Sequence, residues 1–241
     1  MVIDMVTGIP TVKTSRSNEA YRVLKGMILR GVLAPGAEFT ELQASELVGS
    51  SRTPVREALA RLRHDRLIVL LAARRYAIAP ISMGDVHNLF DVRRLIESET
   101  TRLAVGRVDG EQLRSLDQLC RSTYDPADSE SIQGFLQANK EFHQALARAS
   151  GNPRLVDLLI PLLDEMERLL YLGLQHSDRG AAIIHEHRSL IAALEAGETA
   201  AAVQEIHTQL NDAQEMVTQA FLDGAFDPKL MTIDLHGGAR S

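Results

Sequence analysis

The chain has 241 residues, of which 45% are hydrophobic and 24% charged, and its 26 Lys+Arg against 32 Asp+Glu give a formal net charge of −6. That composition is ordinary for a globular protein and excludes disordered and collagen-like architectures, while the longest apolar run, Leu67 to Ala73, is far too short for the roughly 20 residues that span a bilayer. The single cysteine, Cys120, allows no internal disulfide and fits a reducing cytoplasm; the first ten residues show no basic stretch followed by an apolar core, so no secretory signal is expected.

The charge is divided unevenly along the chain. Residues 1–80 hold 12 Lys+Arg and 7 Asp+Glu, whereas residues 81–241 hold 14 and 25. A basic N-terminal part ahead of an acidic remainder suggests a nucleic-acid-binding module mounted on a second domain.

Residues 1–17 show no apolar periodicity and are expected to form a flexible tail. From Asn18 the apolar positions Tyr21, Leu24, Ile28 and Leu29 recur at helical spacing, up to the Gly31 to Gly36 break. A short helix is expected over Thr40 to Val48. After Gly49, the Ser51-Arg52-Thr53-Pro54-Val55-Arg56-Glu57 run opens another helix, with Ser51 or Thr53 as its cap and Pro54 in the first turn, where a missing N–H costs little. Leu67 to Leu71 and Tyr76 to Ala79 read as two short strands joined at Ala72-Ala73-Arg74-Arg75. Three helices followed by a hairpin is the order of a winged helix-turn-helix, here over residues 18–80.

Residues 81–84 read as a linker, with Ser82 and Asp85 forming a capping box for the next helix. The pattern from 85 to 222 is all-helical, with helices over 83–105, 109–122, 131–149, 153–174, 179–196 and 198–222, and residues 223–241 form a C-terminal tail. The expected fold class is therefore mainly α, a winged helix-turn-helix followed by a helical bundle.

In the helix that starts near Ser51, Val55, Ala58, Leu59 and Leu62 gather on one side as its core face. Arg52 and Arg56, one turn apart, share a neighbouring sector at its start. A helix entering the major groove needs such residues there, because a guanidinium forks onto guanine O6 and N7 while hydroxyls and backbone N–H groups hold phosphates. On these residues, together with Pro35-Gly36, Glu41, Leu47-Val48-Gly49 and the following Ala58-Leu59, the segment resembles the GntR family of bacterial transcription regulators. The resemblance implies that Arg52, Thr53 and Arg56 contact double-stranded operator DNA, with Ser51 on a phosphate. A basic wing tip at Arg74 and Arg75 could reach a phosphate or the minor groove.

The acidic half shows three apolar stripes that each contain a histidine: Phe135, Asn139, Phe142, His143 and Leu146; His187, Leu190, Ile191 and Leu194; Val203, Ile206, His207 and Leu210. A buried polar group without a partner costs on the order of 1–3 kcal/mol, so imidazoles on three core faces should meet one another, water or a metal. Asn139 and His143 are four apart and can share an ion. Histidine nitrogen suits zinc, nickel or copper, and a divalent ion on neutral ligands keeps excess positive charge that attracts a carboxylate.

The same half, over roughly residues 83–222, resembles the C-terminal ligand-binding FCD domain of the FadR subgroup. The resemblance rests on Val92-Arg93-Arg94-Leu95-Ile96-Glu97, Asn139-Lys140-Glu141-Phe142-His143 with Gly151-Asn152, Glu186-His187-Arg188-Ser189-Leu190-Ile191, and His207. It implies a divalent metal on Asn139, His143, His187 and His207, and a small carboxylate effector bound with the help of Arg93, a residue that could equally pair with Glu97 one turn on. The implied protein is a homodimeric, ligand-responsive, cytoplasmic regulator without an enzymatic activity. Two alternatives stand beside it: a regulator that senses the metal itself, and a metalloenzyme whose histidines activate water. Against the last, there is no His-Glu-x-x-His, and His185-Glu186-His187 has the wrong spacing for two ligands on one helical face.

Overall fold

The structure is a computed structural model that describes residues 15–72, 75–123, 125, 128–176 and 187–224. Its first helix, α1 (Arg16–Leu29), begins two residues before the expected Asn18, because Ser15 caps it: the Ser15 hydroxyl accepts from the Asn18 N–H and Glu19 lies in the first turn. Residues 15–17 therefore belong to the helix and not to a tail, and residues 1–14 lie outside the described residues.

A short strand, β1 (Glu38–Thr40), precedes α2 (Glu41–Val48), which is opened by a reciprocal Thr40/Gln43 capping box and closed by Gly49 in the left-handed region at φ 61°. Next come α3 (Arg52–His64), β2 (Ile68–Leu70) and β3 (Arg75–Ile78). The sheet runs β1-β3-β2, all antiparallel, with Phe39 opposite Tyr76 and Leu70 opposite Tyr76 on the other side. The hairpin expected from sequence thus gains a third strand. Leu24 and Ile28 of α1, Val55, Ala58, Leu59 and Leu62 of α3, and Ile68 and Ile78 of the sheet close one apolar core.

The second half is helical from Met83 on: α4 (Met83–Ala104), α5 (Gly110–Thr123), α6 (Ser129–Ala149), α7 (Pro153–His176), α8 (His187–Ala196) and α9 (Thr199–Leu222). Ser82 and Asp85 form the expected capping box at the start of α4. The helix expected over 179–196 is described from His187 onward, and residues 177–186 lie outside the described residues. α4 packs along α9, and α5 along α6, around a core that includes Phe90, Phe135, Phe142, Leu172, Leu190 and Ile206.

Head and bundle are tied by charges on α7. Asp164 accepts from Lys25 of α1 at 2.7 Å and from Lys140 of α6 at 2.5 Å, and Lys140 also reaches Glu167 at 3.1 Å. Burial works to raise the Asp164 pKa, but the two lysines outweigh it and hold the carboxyl below its usual value. One turn further, the Arg168 guanidinium donates to the Ala79 carbonyl at 3.0 Å, and burial pushes its pKa down to about 10.

Candidate functional site

Two places on the molecule carry functional side chains. The first is the start of α3. Ser51 is its N-cap in extended backbone, and the Ser51 hydroxyl makes no capping hydrogen bond, so it faces outward next to the unpaired N–H groups of the first turn. The fully buried Val55, Ala58, Leu59 and Leu62 fix the rotation of the helix, and Ser51, Arg52, Thr53 and Arg56 are consequently all exposed on one end of it. Arg56 is held by Glu41 of α2, with Nη2 at 3.0 Å from Oε2 and Nε at 3.2 Å from Oε1. Glu41 was visible in the sequence as part of the motif, but its task of aiming Arg56 was not. Arg75, at the start of β3, forms an ion pair with Glu38 of β1. Arg74 lies outside the described residues.

The second place is a cavity of about 30 Å³ inside the bundle, lined by Arg93 of α4, Asn139 and His143 of α6, His187 of α8 and Gln209 of α9, with Phe135, Leu170, Leu174, Leu210, Ala213 and Met216 as apolar walls. Arg93, His143, His187 and Gln209 are each 5% exposed or less. The His143 and His187 rings stand 5.8 Å apart between centroids, and His187 stacks on Phe142 at 3.9 Å.

Each imidazole turns Nδ1 toward a carboxylate. His143 Nδ1 lies 2.7 Å from Glu97 Oε2, and the other oxygen of Glu97 accepts from Arg93 Nε at 2.6 Å. Burial would raise the Glu97 pKa, but Arg93 and His143 together bring it down to about 2. His187 Nδ1 lies 3.7 Å from Asp117 Oδ1, and the second oxygen of Asp117 pairs with Arg121 at 2.8 Å. Burial pushes the His187 pKa down, and Asp117 only partly opposes this, so the ring is neutral near pH 7. Glu97 thus holds the His143 ring at ion-pair distance, whereas the 3.7 Å between His187 Nδ1 and Asp117 Oδ1 is beyond hydrogen-bond reach and leaves both of those buried atoms without a hydrogen bond. Arg93 makes the ion pair with Glu97 that was one of its two expected readings, and it also forms part of the cavity wall.

His207 does not join this group. It is half-buried on a different face of α9, where Nε2 sits 2.6 Å from the Ser98 hydroxyl. The stripe expected to carry it is rotated: the buried line of α9 is Ala202, Ile206, Gln209, Leu210, Met216, Val217 and Ala220. At about 100° per residue, position 207 lies a full step to one side of Ile206, while position 209 falls about 60° to the other and points inward. Gln209 thus occupies the place in the cavity expected for the third imidazole.

This changes what the cavity could hold. Among the described residues, no three His, Cys, Asp or Glu side chains are grouped to bind a metal ion. The donors that do meet are two imidazoles and the amides of Asn139 and Gln209, beside the guanidinium of Arg93, a weaker set for a divalent cation than three imidazoles. As a lining for an anion or a polar organic molecule, the same groups offer one cation and several hydrogen-bond donors.

Among the described residues, no helix is long and apolar enough to cross a membrane. Residues 16–76 match the bacterial regulatory proteins of the gntR family, and residues 88–212 match the FCD domain. The chain is 25% identical over 203 residues to the HTH-type transcriptional repressor RspR of Escherichia coli (strain K12), covering 84% of this chain and 89% of that protein. It is 26% identical over 208 residues to the uncharacterized HTH-type transcriptional regulator YdhC of Bacillus subtilis (strain 168), covering 85% and 92%. Among solved structures, a GntR transcriptional regulator from Rhodococcus sp. RHA1 superposes with a TM-score of 0.68 at 26% identity, over 86% of this chain and 99% of that one. The E. coli McbR/YncC structure, at 22% identity and a TM-score of 0.69 over 86% and 99%, has the same fold. With a matching head and a matching bundle in the same order, the chain belongs to the GntR family of bacterial DNA-binding transcription regulators and carries an FCD domain behind its helix-turn-helix.

Proposed function

We propose that this regulator, a member of the FadR subgroup acting in the cytoplasm as a homodimer, binds a small organic acid in the bundle cavity and that the acid alters its grip on operator DNA. The observation that carries the reading is the cavity itself: a guanidinium, two imidazoles and two amides converge on a space whose other walls are apolar. A ligand with carboxylate oxygens would accept hydrogen bonds from the guanidinium and the amide N–H groups that line the cavity.

The cavity is narrow, so an entering acid must spread the helices around it. Those helices hold the head. α6 contributes Asn139 and His143 to the cavity and Lys140 to Asp164; α7 contributes Leu170 and Leu174 to the cavity, and Asp164 and Arg168 to the contacts with Lys25 and Ala79. Displacing α6 and α7 therefore moves the seat of the head. In a dimer this changes the spacing of two reading helices over a pseudo-palindromic site, with a coupling free energy on the order of 1–3 kcal/mol.

A second reading, that zinc or nickel accompanies the acid, is favoured by the two neighbouring imidazoles and the Asn139 amide that line the one cavity. His143, His187 and Asn139 would hold the ion, and its contribution would be a positive charge facing the carboxylate. Gel-shift titration of chelator-treated protein on genomic fragments, with a panel of small mono-, di- and tricarboxylates, tests the proposal. At least one acid is expected to shift operator affinity, and Asn139→Ala or Gln209→Ala should abolish that response while leaving binding without acid intact. A response present only after zinc or nickel is restored supports the second reading; no response under either condition refutes both.

A further inference from the structure

Head and bundle enclose a cleft of about 300 Å³ beside the linker, separate from the bundle cavity and within the range of roughly 300–1,000 Å³ of small-molecule sites. Val69 of β2, Ile81 of the linker, Leu89 of α4 and Leu169 of α7 line it with hydrocarbon. Arg66, Asp85, Glu165 and Arg168 bring four charges to the same space.

Arg66 stands there against the preference of its own backbone. It follows the C-cap of α3, where the Leu67 N–H reaches back to the Leu62 carbonyl at 3.0 Å and the Arg66 N–H to the Arg63 carbonyl at 3.1 Å, and its φ is 57°. A helix that ends in this way favours glycine, because a Cβ is strained in left-handed backbone. Among the described residues, the Arg66 guanidinium makes no hydrogen bond or close ion pair, so no contact within them accounts for the strain. Strained backbone of this kind gathers at ligand clamps.

The other three charges differ in what they lack. Asp85 is engaged with Ser82 in the capping box of α4, and Arg168 gives one N–H to the Ala79 carbonyl. Glu165 is half-buried, and among the described residues its carboxylate also makes no hydrogen bond or close ion pair. Burial raises its pKa, and the charges of Arg66 and Arg168 only partly oppose this. A guanidinium and a carboxylate, each with hydrogen-bonding capacity to spare, therefore border one apolar space.

We propose that this cleft is a second ligand site, which takes a free α-amino acid with an apolar side chain and clamps the head to the bundle. The carboxylate of the ligand pairs with Arg66 and with the remaining N–H groups of Arg168, its ammonium pairs with Glu165, and its side chain covers Val69, Ile81, Leu89 and Leu169. Simpler ligands fit worse. An organic anion sets a negative charge against Glu165 and Asp85, and an amine sets a positive charge against Arg66 and Arg168. An uncharged apolar molecule takes charges out of water without pairing any of them. A molecule with both charges on one carbon and a hydrocarbon remainder meets each group with its complement. Because Arg66 and Val69 belong to the head, and Leu89, Glu165 and Arg168 to the bundle, the bound amino acid holds the two parts at one angle. The site does not depend on the acid proposed for the bundle cavity.

Isothermal titration calorimetry of the full chain with leucine, methionine and phenylalanine tests the site, with thermal shift as a second readout. At least one of the three is expected to bind at millimolar concentration or below. Isocaproate is leucine without its ammonium and isoamylamine is leucine without its carboxylate; each should bind at least about tenfold more weakly than leucine. Arg66→Gly removes the guanidinium and relieves the backbone, so its thermal midpoint should hold or rise while affinity for the amino acid falls about tenfold or more. Glu165→Gln should lose a similar factor, and Asn139→Ala, whose change lies in the bundle cavity, should bind the amino acid as the wild type does. Wild-type affinity in Arg66→Gly, or a loss confined to Asn139→Ala, overturns the cleft and places the amino acid elsewhere. Isocaproate binding as tightly as leucine also overturns it, as does the absence of binding by all three amino acids. The response of operator binding to organic acids, read by gel shift, stands or falls separately.

Discussion

The head and the bundle bury opposite kinds of residue. Among the described residues, the one buried polar side chain of the head is Ser45, and its core is otherwise hydrocarbon. The bundle buries Arg93, Glu97, Asp117, His143, Arg168, His187 and Gln209. A part that recognises a polyanion works on its outside, where cations stay solvated until DNA displaces water and counterions. A part that recognises a small molecule must bring polar groups indoors, and those groups need one another when the ligand is away. The contrast separates two failure modes: changes at the working residues of the head should cost binding and leave stability alone, and changes at those of the bundle should cost stability as well.

Glu97 gives the sharpest contrast. Its carboxylate answers both Arg93 and His143 inside the bundle, so Glu97→Ala strands a buried guanidinium, and removing one partner of a buried pair typically costs about 3–5 kcal/mol. Urea unfolding should show that loss. The same measurement on Glu41→Ala, which removes a half-buried carboxylate paired with the exposed Arg56, should show a much smaller loss. Equal losses in the two variants would remove the distinction between the parts.

On the DNA side the ranking reverses. Arg52→Ala and Arg56→Ala should each weaken specific operator binding by about tenfold to a hundredfold in a fluorescence-anisotropy titration, the range for losing a fork onto a guanine, with unfolding midpoints unchanged. If Arg75 meets a phosphate, Arg75→Ala should cost less, reduce affinity evenly across sequences, and lower the slope of log affinity against log salt by about one. A sequence-selective effect at Arg75 would move part of the recognition from α3 to the wing.

How far each part could be read in advance follows from the same contrast. The start of α3 was legible because every signal is local: the cap, Pro54 in the first turn, and an apolar stripe that sets the helix phase and so exposes the two arginines. β1 was not, since three residues, Glu38–Thr40, become a strand only by pairing with β3 more than thirty residues later. In the bundle, the apolar stripes placed Asn139, His143 and His187 on inward faces. The phase of α9 was misjudged because Val203, Ile206, His207 and Leu210 fit a helical stripe almost as well as the true one, and a glutamine at 209 gives no hydropathy signal that it is buried. Asp117, which lies beside His187, could not be found at all from sequence, because its neighbour lies about seventy residues away on another helix. Interior polar sites are assembled from long-range contacts, and periodicity reports only which face a residue occupies.

The smallest expected effect is a pH dependence that belongs to the bundle. Burial holds the His187 pKa below its ordinary value near 6.5, so the folded chain keeps the ring neutral at a pH where the unfolded chain has begun to take up a proton. Where the unfolded state binds more protons, stability rises with pH. His187 therefore adds no penalty above about pH 6.5 and becomes a liability as the pH falls below it. Glu97 acts in a lower window: with a folded pKa of about 2, its contribution persists through this range and is lost only as the pH drops from its ordinary carboxylate value toward 2. Between pH 7 and 5.5, then, the thermal midpoint of chelator-treated protein should decline, and His187→Gln, which removes the titrating ring, should flatten the decline. An equally steep decline in the variant would mean that another group in the bundle takes up the proton, and that the ring stacked on Phe142 is tolerated in its charged form.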